Sequence, residues 1–278
     1  MKINKIKQLA EAAFNTVLAD RRHLHKNPEL SFKEFQTQQF VWGRLDEIGI
    51  TNKVKIAETG IVAMIEGKNP SAKIIALRAD MDALPIQETN KTDYVSQNAG
   101  VMHACGHDVH TSSLLGVASV LQQFKNEFSG TVKLLFQPGE EKLPGGASMM
   151  IKEGVLKNPS VSGILGQHVM PLIETGKVGF RSGVYMASTD EIYVTIKGKG
   201  GHGAIPHQNI DPVLIASHII VALQQIVSRN ANPIMPSVLS FGKVVANGAT
   251  NVIPDSVYLE GTFRTLDERW RNDAHAKM

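Results

Sequence analysis

Apolar positions along this chain fall into two rhythms that take turns. From the first residue to about residue 20, Ile3, Ile6, Leu9, Phe14 and Val17 recur among charged residues, which predicts an amphipathic helix. Two short apolar runs follow, Ile61–Ile65 and Lys73–Leu77, each flanked by turn residues as strands are. Helical spacing returns between Val109 and Phe124, through Leu114, Val117, Ala118 and Leu121. A strand-like run at Thr131–Phe136, a helix near Ala147–Glu153 and an apolar run at Gly163–Gly166 complete the pattern. Alternating strands and helices predict an α/β domain with a mainly parallel sheet, assigned to residues 1–182.

Beyond Arg181–Ala187 the rhythm changes. Glu191–Lys197 alternates as a strand, a glycine-rich loop follows, and a helix is expected from about Asp211 to Arg229. Strand-like runs at Ser237–Val244 and Val257–Thr265 come next, a β-α-β-β order that predicts a smaller α+β domain over residues 183–278. Asp267–Met278 reads as a helix that has only begun, with no later strand to close it, so both domains are expected to be C-terminally incomplete.

The 278 residues are 42% hydrophobic and 20% charged, with 29 basic side chains against 26 acidic ones. A net charge of +3 without a clustered basic face excludes a nucleic-acid partner as an expectation. One cysteine, Cys105, excludes an intrachain disulfide and points to a reducing, cytoplasmic setting. The N-terminal helix lacks the unbroken apolar core of a signal peptide. Pro212–Val227, interrupted by Ser217, His218 and Gln224–Gln225, reads as too short and too polar for a bilayer, so no membrane partner is expected.

Candidate chemistry gathers at strand ends. Arg78-Ala-Asp80-Met-Asp82, Gln137-Pro-Gly-Glu140-Glu141 and Gln167-His168 each follow an apolar run, and His103-Ala-Cys105-Gly-His107-Asp108 opens a helix. Ligands of parallel α/β sheets bind at that edge. In an extended loop Cys105 and His107, two apart, would face one metal together, although Cys105 by itself also reads as a buried free thiol. Adjacent carboxylates at a strand end are expected to point in opposite directions, Glu141 toward a metal and Glu140 as the general acid/base; a solvated acidic turn is the plainer alternative. His168 completes the ligand set, His103 and His110 are supporting or structural, Asp80 and Asp82 orient an imidazole or water, and Arg78 neutralises carboxylates. In Gly198-Lys-Gly200-Gly201-His202-Gly203 the glycines leave His202 uncovered to donate to an oxyanion, or else form a mobile turn. Asn251 is a substrate-contact candidate or a turn former.

Taken together, RRHLHKNPELSF, ALRADMDALPI, MHACGHDVHT, FQPGEE, GQHV and GKGGHGAIPH resemble the M20 metallopeptidase superfamily. The resemblance is to its amidohydrolase branch of hippurate hydrolases, auxin-conjugate (IAA-amino acid) hydrolases and N-acetyldiaminopimelate deacetylases, and it runs in order from about Arg21 to Arg264. It implies a catalytic domain holding two divalent ions (Zn, Mn, Co or Ni) and an inserted lid domain through which subunits dimerise. It also implies Cys105, His107, Glu141 and His168 as ligands, Glu140 as the base, and His202 as an oxyanion contact reaching across the dimer. The implied reaction is amide cleavage in N-acyl amino acids, with a dipeptidase or carboxypeptidase as the enzymatic alternative. Two departures stand out. Members carry one more ligand histidine near their C-terminus, in a segment not found before Met278, and Lys142-Leu-Pro follows the glutamate pair where many relatives are glycine-rich. The first motivates a third reading, a shortened metal-binding or dimerising protein without turnover.

Overall fold

The computed structural model describes residues 2–278, which form two compact units, one ending at Glu174 and one running Thr175–Met278. The domain boundary expected after residue 182 lies inside the second unit.

The first unit begins with helix α1 (Lys2–Lys26) and helix α2 (Phe35–Ile48), which ends at Gly49 in the left-handed conformation. Strands β1 (Lys53–Ile56), β2 (Gly60–Glu66) and β3 (Ile74–Asp80) follow, then helix α3 (His107–Phe124), strand β4 (Thr131–Gln137), helix α4 (Gly146–Lys152) and strand β5 (Gly163–Gly166). Their order across the sheet is β1-β2-β4-β3-β5. β3 is parallel to β4 and β5, but β1–β2 and β2–β4 are antiparallel, so the sheet is mixed and the expectation of a mainly parallel one is corrected. The reason is local. Ala57 and Glu58, both at positive φ, make the tight turn that folds β1 onto β2, and a turn that short permits only antiparallel pairing. The helix α3 crossover is long enough to return the chain in parallel.

Helices cover both faces of this sheet. On one side Leu114, Leu115 and Ala118 of α3 and Val41 and Leu45 of α2 pack on Ile61, Ala63, Leu134 and Phe136. On the other, Met150 of α4 and Val155 pack on Val62, Ala76 and Leu135. Burying Phe136 completely contributes ~1.5–3 kcal/mol, and that burial anchors the strand whose end carries Glu140 and Glu141.

In the second unit strands β6 (Asp190–Lys197), β8 (Ser237–Val245) and β10 (Ser256–Thr265) form an antiparallel sheet with β10 central. Helix α5 (Pro212–Gln225) starts where Asp211 accepts the Val213 and Leu214 N–H groups, with proline at the first helical position. Asp267 caps α6 (Glu268–Lys277) in the same way, accepting from Trp270 N–H. Ala216, Ile219 and Ile220 pack against Val257 and Leu259, and Trp270 and Ala274 against Leu239 and Phe263. A one-turn π extension, Ile226–Asn230, makes the helical stretch Pro212–Asn230 19 residues long, with a mean hydropathy of 1.3. By length and composition it could cross a membrane, which corrects the argument that it is too short and too polar; its inner face instead lies on the sheet. The two-stranded ribbon of β7 (Gly201–His202) and β9 (Val252–Ile253) sits beside this sheet in sequence and presents the glycine-rich loop.

Candidate metal centre

Four segments of the first unit converge at the carboxyl end of β3 and β4. β3 runs through Arg78 to Asp80, and the chain continues to Asp82. α3 opens at His107 itself, earlier than expected, because Gly106 adopts a left-handed φ of 86° and turns the chain into the helix. A Cβ at Gly106 would lie 2.3 Å from Val169 Cγ2, so only glycine lets the loop approach the segment bearing His168. The expectation that Cys105 and His107 share an extended loop is therefore corrected: a glycine turn, not alternation, brings them together.

Cys105, His107 and His168 each offer a ligand atom within 4.8 Å of the others, and so do His107, Glu140 and Glu141. Cys105 Sγ lies 3.4 Å from His168 Nε2, and His107 Nε2 lies 3.8 Å from Glu141 Oε1. The two glutamates thus face the same cluster and do not point in opposite directions. β4 ends at Gln137 and the pair sits in the bend beyond it, where strand alternation no longer applies.

The imidazoles are held with one nitrogen committed. His107 Nδ1–H donates to Asp82 O at 2.8 Å, with Asp82 Oδ1 at 3.2 Å, and His168 Nδ1–H donates to Val169 O at 2.7 Å. Each ring then presents an Nε2 lone pair to the cluster. His107 is 1% exposed and, among the described residues, its Nε2 has no hydrogen-bond partner, a cost that a bound cation would remove. Burial opposes charge on His107, yet Asp82, Asp80 and Glu141 outweigh it and lift its pKa above the ordinary histidine range. Asp80, Asp82, Glu140 and Glu141 therefore make a negative well around a bare nitrogen. Thiol, imidazole and carboxylate donors there fit a divalent transition metal.

Without such an ion Cys105 stays a thiol, pushed up to about 12 by burial, then by its contact with Glu141 and the charge of Glu141 and Glu140. Desolvation and then the charge of Glu141 raise the Glu140 pKa from its ordinary value.

Supporting groups surround this cluster. Asp80 accepts from His110 Nδ1–H at 2.6 Å and from Arg78 Nη1–H at 2.5 Å, so Arg78 neutralises a carboxylate as expected. Burial alone would raise Asp80, but those partners and His107 bring it down to about 2. His110 Nε2 accepts Val169 N–H at 2.9 Å, which commits both its nitrogens and ties β3 to the His168 segment. Asp82 accepts from Ser31 Oγ–H at 2.6 Å and from Glu141 N–H at 2.9 Å. Asp108 accepts from His25 Nδ1–H at 2.7 Å while His25 Nε2 faces Glu88 at 3.2 Å, and that pair of carboxylates, Asp108 first, raises the His25 pKa. His103 is buried with neither nitrogen partnered, and burial pushes it down to about 4, so it is neutral.

His202 and Asn251 lie in the second unit, joined by Gly203 N–H donating to Asn251 O at 2.7 Å across the β7–β9 ribbon. His202 Nδ1 accepts Ala204 N–H at 3.1 Å, which leaves the proton on Nε2 and makes that atom a donor. Sequence reasoning named no role for Ser31, Glu34 or His25. All three fall in or beside the RRHLHKNPELSF segment, which was noted only as a motif.

A Geobacillus stearothermophilus N-acyl-L-amino acid amidohydrolase is 45% identical over 267 residues, covering 96% of this chain and 71% of the relative. An N-acetyl-L-cysteine deacetylase of Bacillus subtilis (strain 168) is 46% identical over 258 residues, covering 93% of this chain and 61% of that protein. The crystal structure of the Bacillus subtilis YXEP protein, described as a dinuclear metal-binding peptidase of the M20 family, superposes with a TM-score of 0.76 at 38% identity, covering 95% of this chain and 67% of that one. With residues 76–260 matching its family profile as well, the chain belongs to the peptidase family M20/M25/M40.

Proposed function

We propose that this protein is a metal-dependent amidohydrolase that cleaves the amide bond of N-acyl amino acids. The observation that carries the reading is the bare, buried His107 Nε2 facing Cys105, His168, Glu140 and Glu141. Cys105, His107, Glu141 and His168 would hold two divalent ions, of the Zn, Mn, Co or Ni class their donors suit. Bound there, the ions supply Lewis acidity toward the acyl carbonyl and the attacking water.

The remaining chemistry belongs to the chain's own side chains. Glu140 takes the proton from water as it attacks the carbonyl carbon, then returns it to the amine nitrogen as the C–N bond breaks. Asp82 and Val169 O fix the tautomers of His107 and His168, and Asp80 holds His110 against the His168 segment. Reaching across a dimer, His202 Nε2–H is the proposed donor for the oxyanion, and Asn251, adjoining the ribbon, is the proposed substrate contact. The relatives' names supply the substrate class: an N-acyl-L-amino acid amidohydrolase and an N-acetyl-L-cysteine deacetylase.

The second unit is proposed as a lid that also forms a homodimer. Its support is the apolar outer surface of α5, where Val213, Leu214 and Val221 are exposed, and of β8, where Val238 and Val244 are exposed. The free Cys105 thiol supports a cytoplasmic setting. The test is a substrate panel. With Mn²⁺, Zn²⁺ or Co²⁺ added, N-acetyl and N-benzoyl amino acids release free amino acid, and chelator stops it. Cleavage of dipeptides in preference to acylated amino acids would overturn the substrate assignment.

A further inference from the structure

Glu34, the residue before α2, is 0% exposed although its side chain is a carboxyl. Its Oε1 accepts Gly139 N–H at 2.7 Å and its Oε2 accepts Thr59 Oγ1–H at 2.5 Å. Burying a charge in this way is costly unless its donors are well placed, and apolar residues of equal volume would fill the space more cheaply. What Glu34 grips is the bend that follows β4. Gly139 sits at a φ of 48°, and a Cβ there would lie 2.4 Å from the Phe32 ring, so the segment just before Glu34 also closes on it. Gly139 O accepts Gly146 N–H at 2.8 Å. Two residues on, Glu141 N–H donates to Asp82, which Ser31 Oγ–H holds in turn.

Glu140 is therefore bracketed. The N–H before it is fixed by Glu34 and the N–H after it by Asp82, and both anchors lead back to the Ser31–Glu34 loop. Among the described residues its own carboxyl has no hydrogen-bond partner that would aim it, so its direction is set by the backbone of the bend. We propose that Glu34 is a positioning residue for the proton-transfer carboxylate: as a buried acceptor of Gly139 N–H, it holds the turn that presents Glu140. This rests on the amidohydrolase reading for Glu140's role, but the hold on Gly139 is testable without it. A shift of about 1 Å in a reacting group costs ~100-fold in rate, so a loosened bend should act on kcat with little effect on substrate affinity.

The test compares Glu34→Met, which keeps the volume and removes the acceptor, with Glu34→Gln, which keeps an acceptor oxygen, in the full chain. Readouts are amide hydrogen exchange at residues 139–141, bound metal, kcat and KM. For Glu34→Met the expected result is exchange at Gly139 at least ~10-fold faster, unchanged metal equivalents, KM within about twofold and kcat lowered ~10- to 100-fold. Glu34→Gln should restore exchange and most of kcat. Glu29→Gln serves as the stability control, because Glu29 accepts Thr37 N–H at the start of α2 and does not touch the bend. It should lower the melting temperature and leave kcat within about twofold. Wild-type exchange and kcat in Glu34→Met, or equal impairment in Glu34→Gln, overturns the proposal. If Glu34→Met does not fold, the wild-type chain decides: fast exchange at Gly139 overturns the proposal and slow exchange supports it. A wild-type chain that shows this protection but never hydrolyses an acylated amino acid refutes the function and leaves the hold on Gly139 standing.

Discussion

Replacing His110 with phenylalanine keeps a ring of similar shape and removes both of its polar contacts. The first is the 2.6 Å hydrogen bond to the Asp80 carboxylate, buried on both sides. A bond to a charged group of this kind contributes about 1.5–3 kcal/mol. The second is the bond from Val169 N–H, a neutral contact worth about 1 kcal/mol. Arg78 remains on Asp80 and limits the loss, so His110→Phe should destabilise the metal-free chain by roughly 2–4 kcal/mol. For a unit of this size that lowers the melting temperature by roughly 5–15 °C, measured by calorimetry in chelator so that metal binding does not contribute. The second effect is on the centre. The His168 ring lies edge-on to His110 at 4.6 Å between centroids, and Val169 N–H no longer has its anchor. Metal affinity by calorimetric titration should fall ~10- to 100-fold, the usual effect of losing a ligand's support. A variant with a metal-free melting temperature within about 2 °C of wild type and an unchanged metal affinity would refute the reasoning.

In metal-free chain, Cys105 at about 12 is ionised to roughly one part in 10⁴ at pH 8, so alkylation should run ~10³-fold slower than for an ordinary thiol; labelling at an ordinary rate contradicts the environment described. Asp190 pairs with Arg271 through both its oxygens, and that hydrogen-bonded pair holds its carboxyl below the usual range. A depressed carboxylate stabilises above its unfolded pKa and loses that contribution as pH falls through the folded one. Asp190→Asn should therefore cost about 1–2 kcal/mol at pH 7 and a steadily smaller amount below about pH 4, read from urea unfolding across pH. A pH-independent difference would show that the pair's charge is not what stabilises the second unit.

Much of the fold was legible because hydrophobic rhythm is a local signal. Thr131–Phe136, Val109–Phe124 and Ser237–Val244 became β4, α3 and β8 with ends moved by a residue or two. The mixed sheet was not legible: that β1 runs against β2 depends on the turn at Ala57–Glu58, whose positive φ values are not dictated by those residue types. α2 and β1 were missed for a related reason. Phe35–Ile48 buries Thr37 and Gln38 alongside Val41 and Leu45, so its inner face does not read as apolar. Glu140, Glu141 and His168 were legible as candidates because they follow predicted strands, and Cys105 and His107 because they share one motif that opens a predicted helix. The arrangement that brings them together was not, since it comes from Gly106 and from a bend beyond β4. Glu34 escaped notice because a glutamate at a helix start ordinarily reads as a cap, and nothing local reveals that its partner lies 105 positions away.

The most direct test of the central claim is Glu140→Gln against wild type, with bound metal counted and turnover measured on the same preparations. If Glu140 moves the proton at a metal centre built by Cys105, His107, Glu141 and His168, the variant keeps its metal and loses kcat by ~10²- to 10⁴-fold. Equal metal with undiminished turnover would contradict the account.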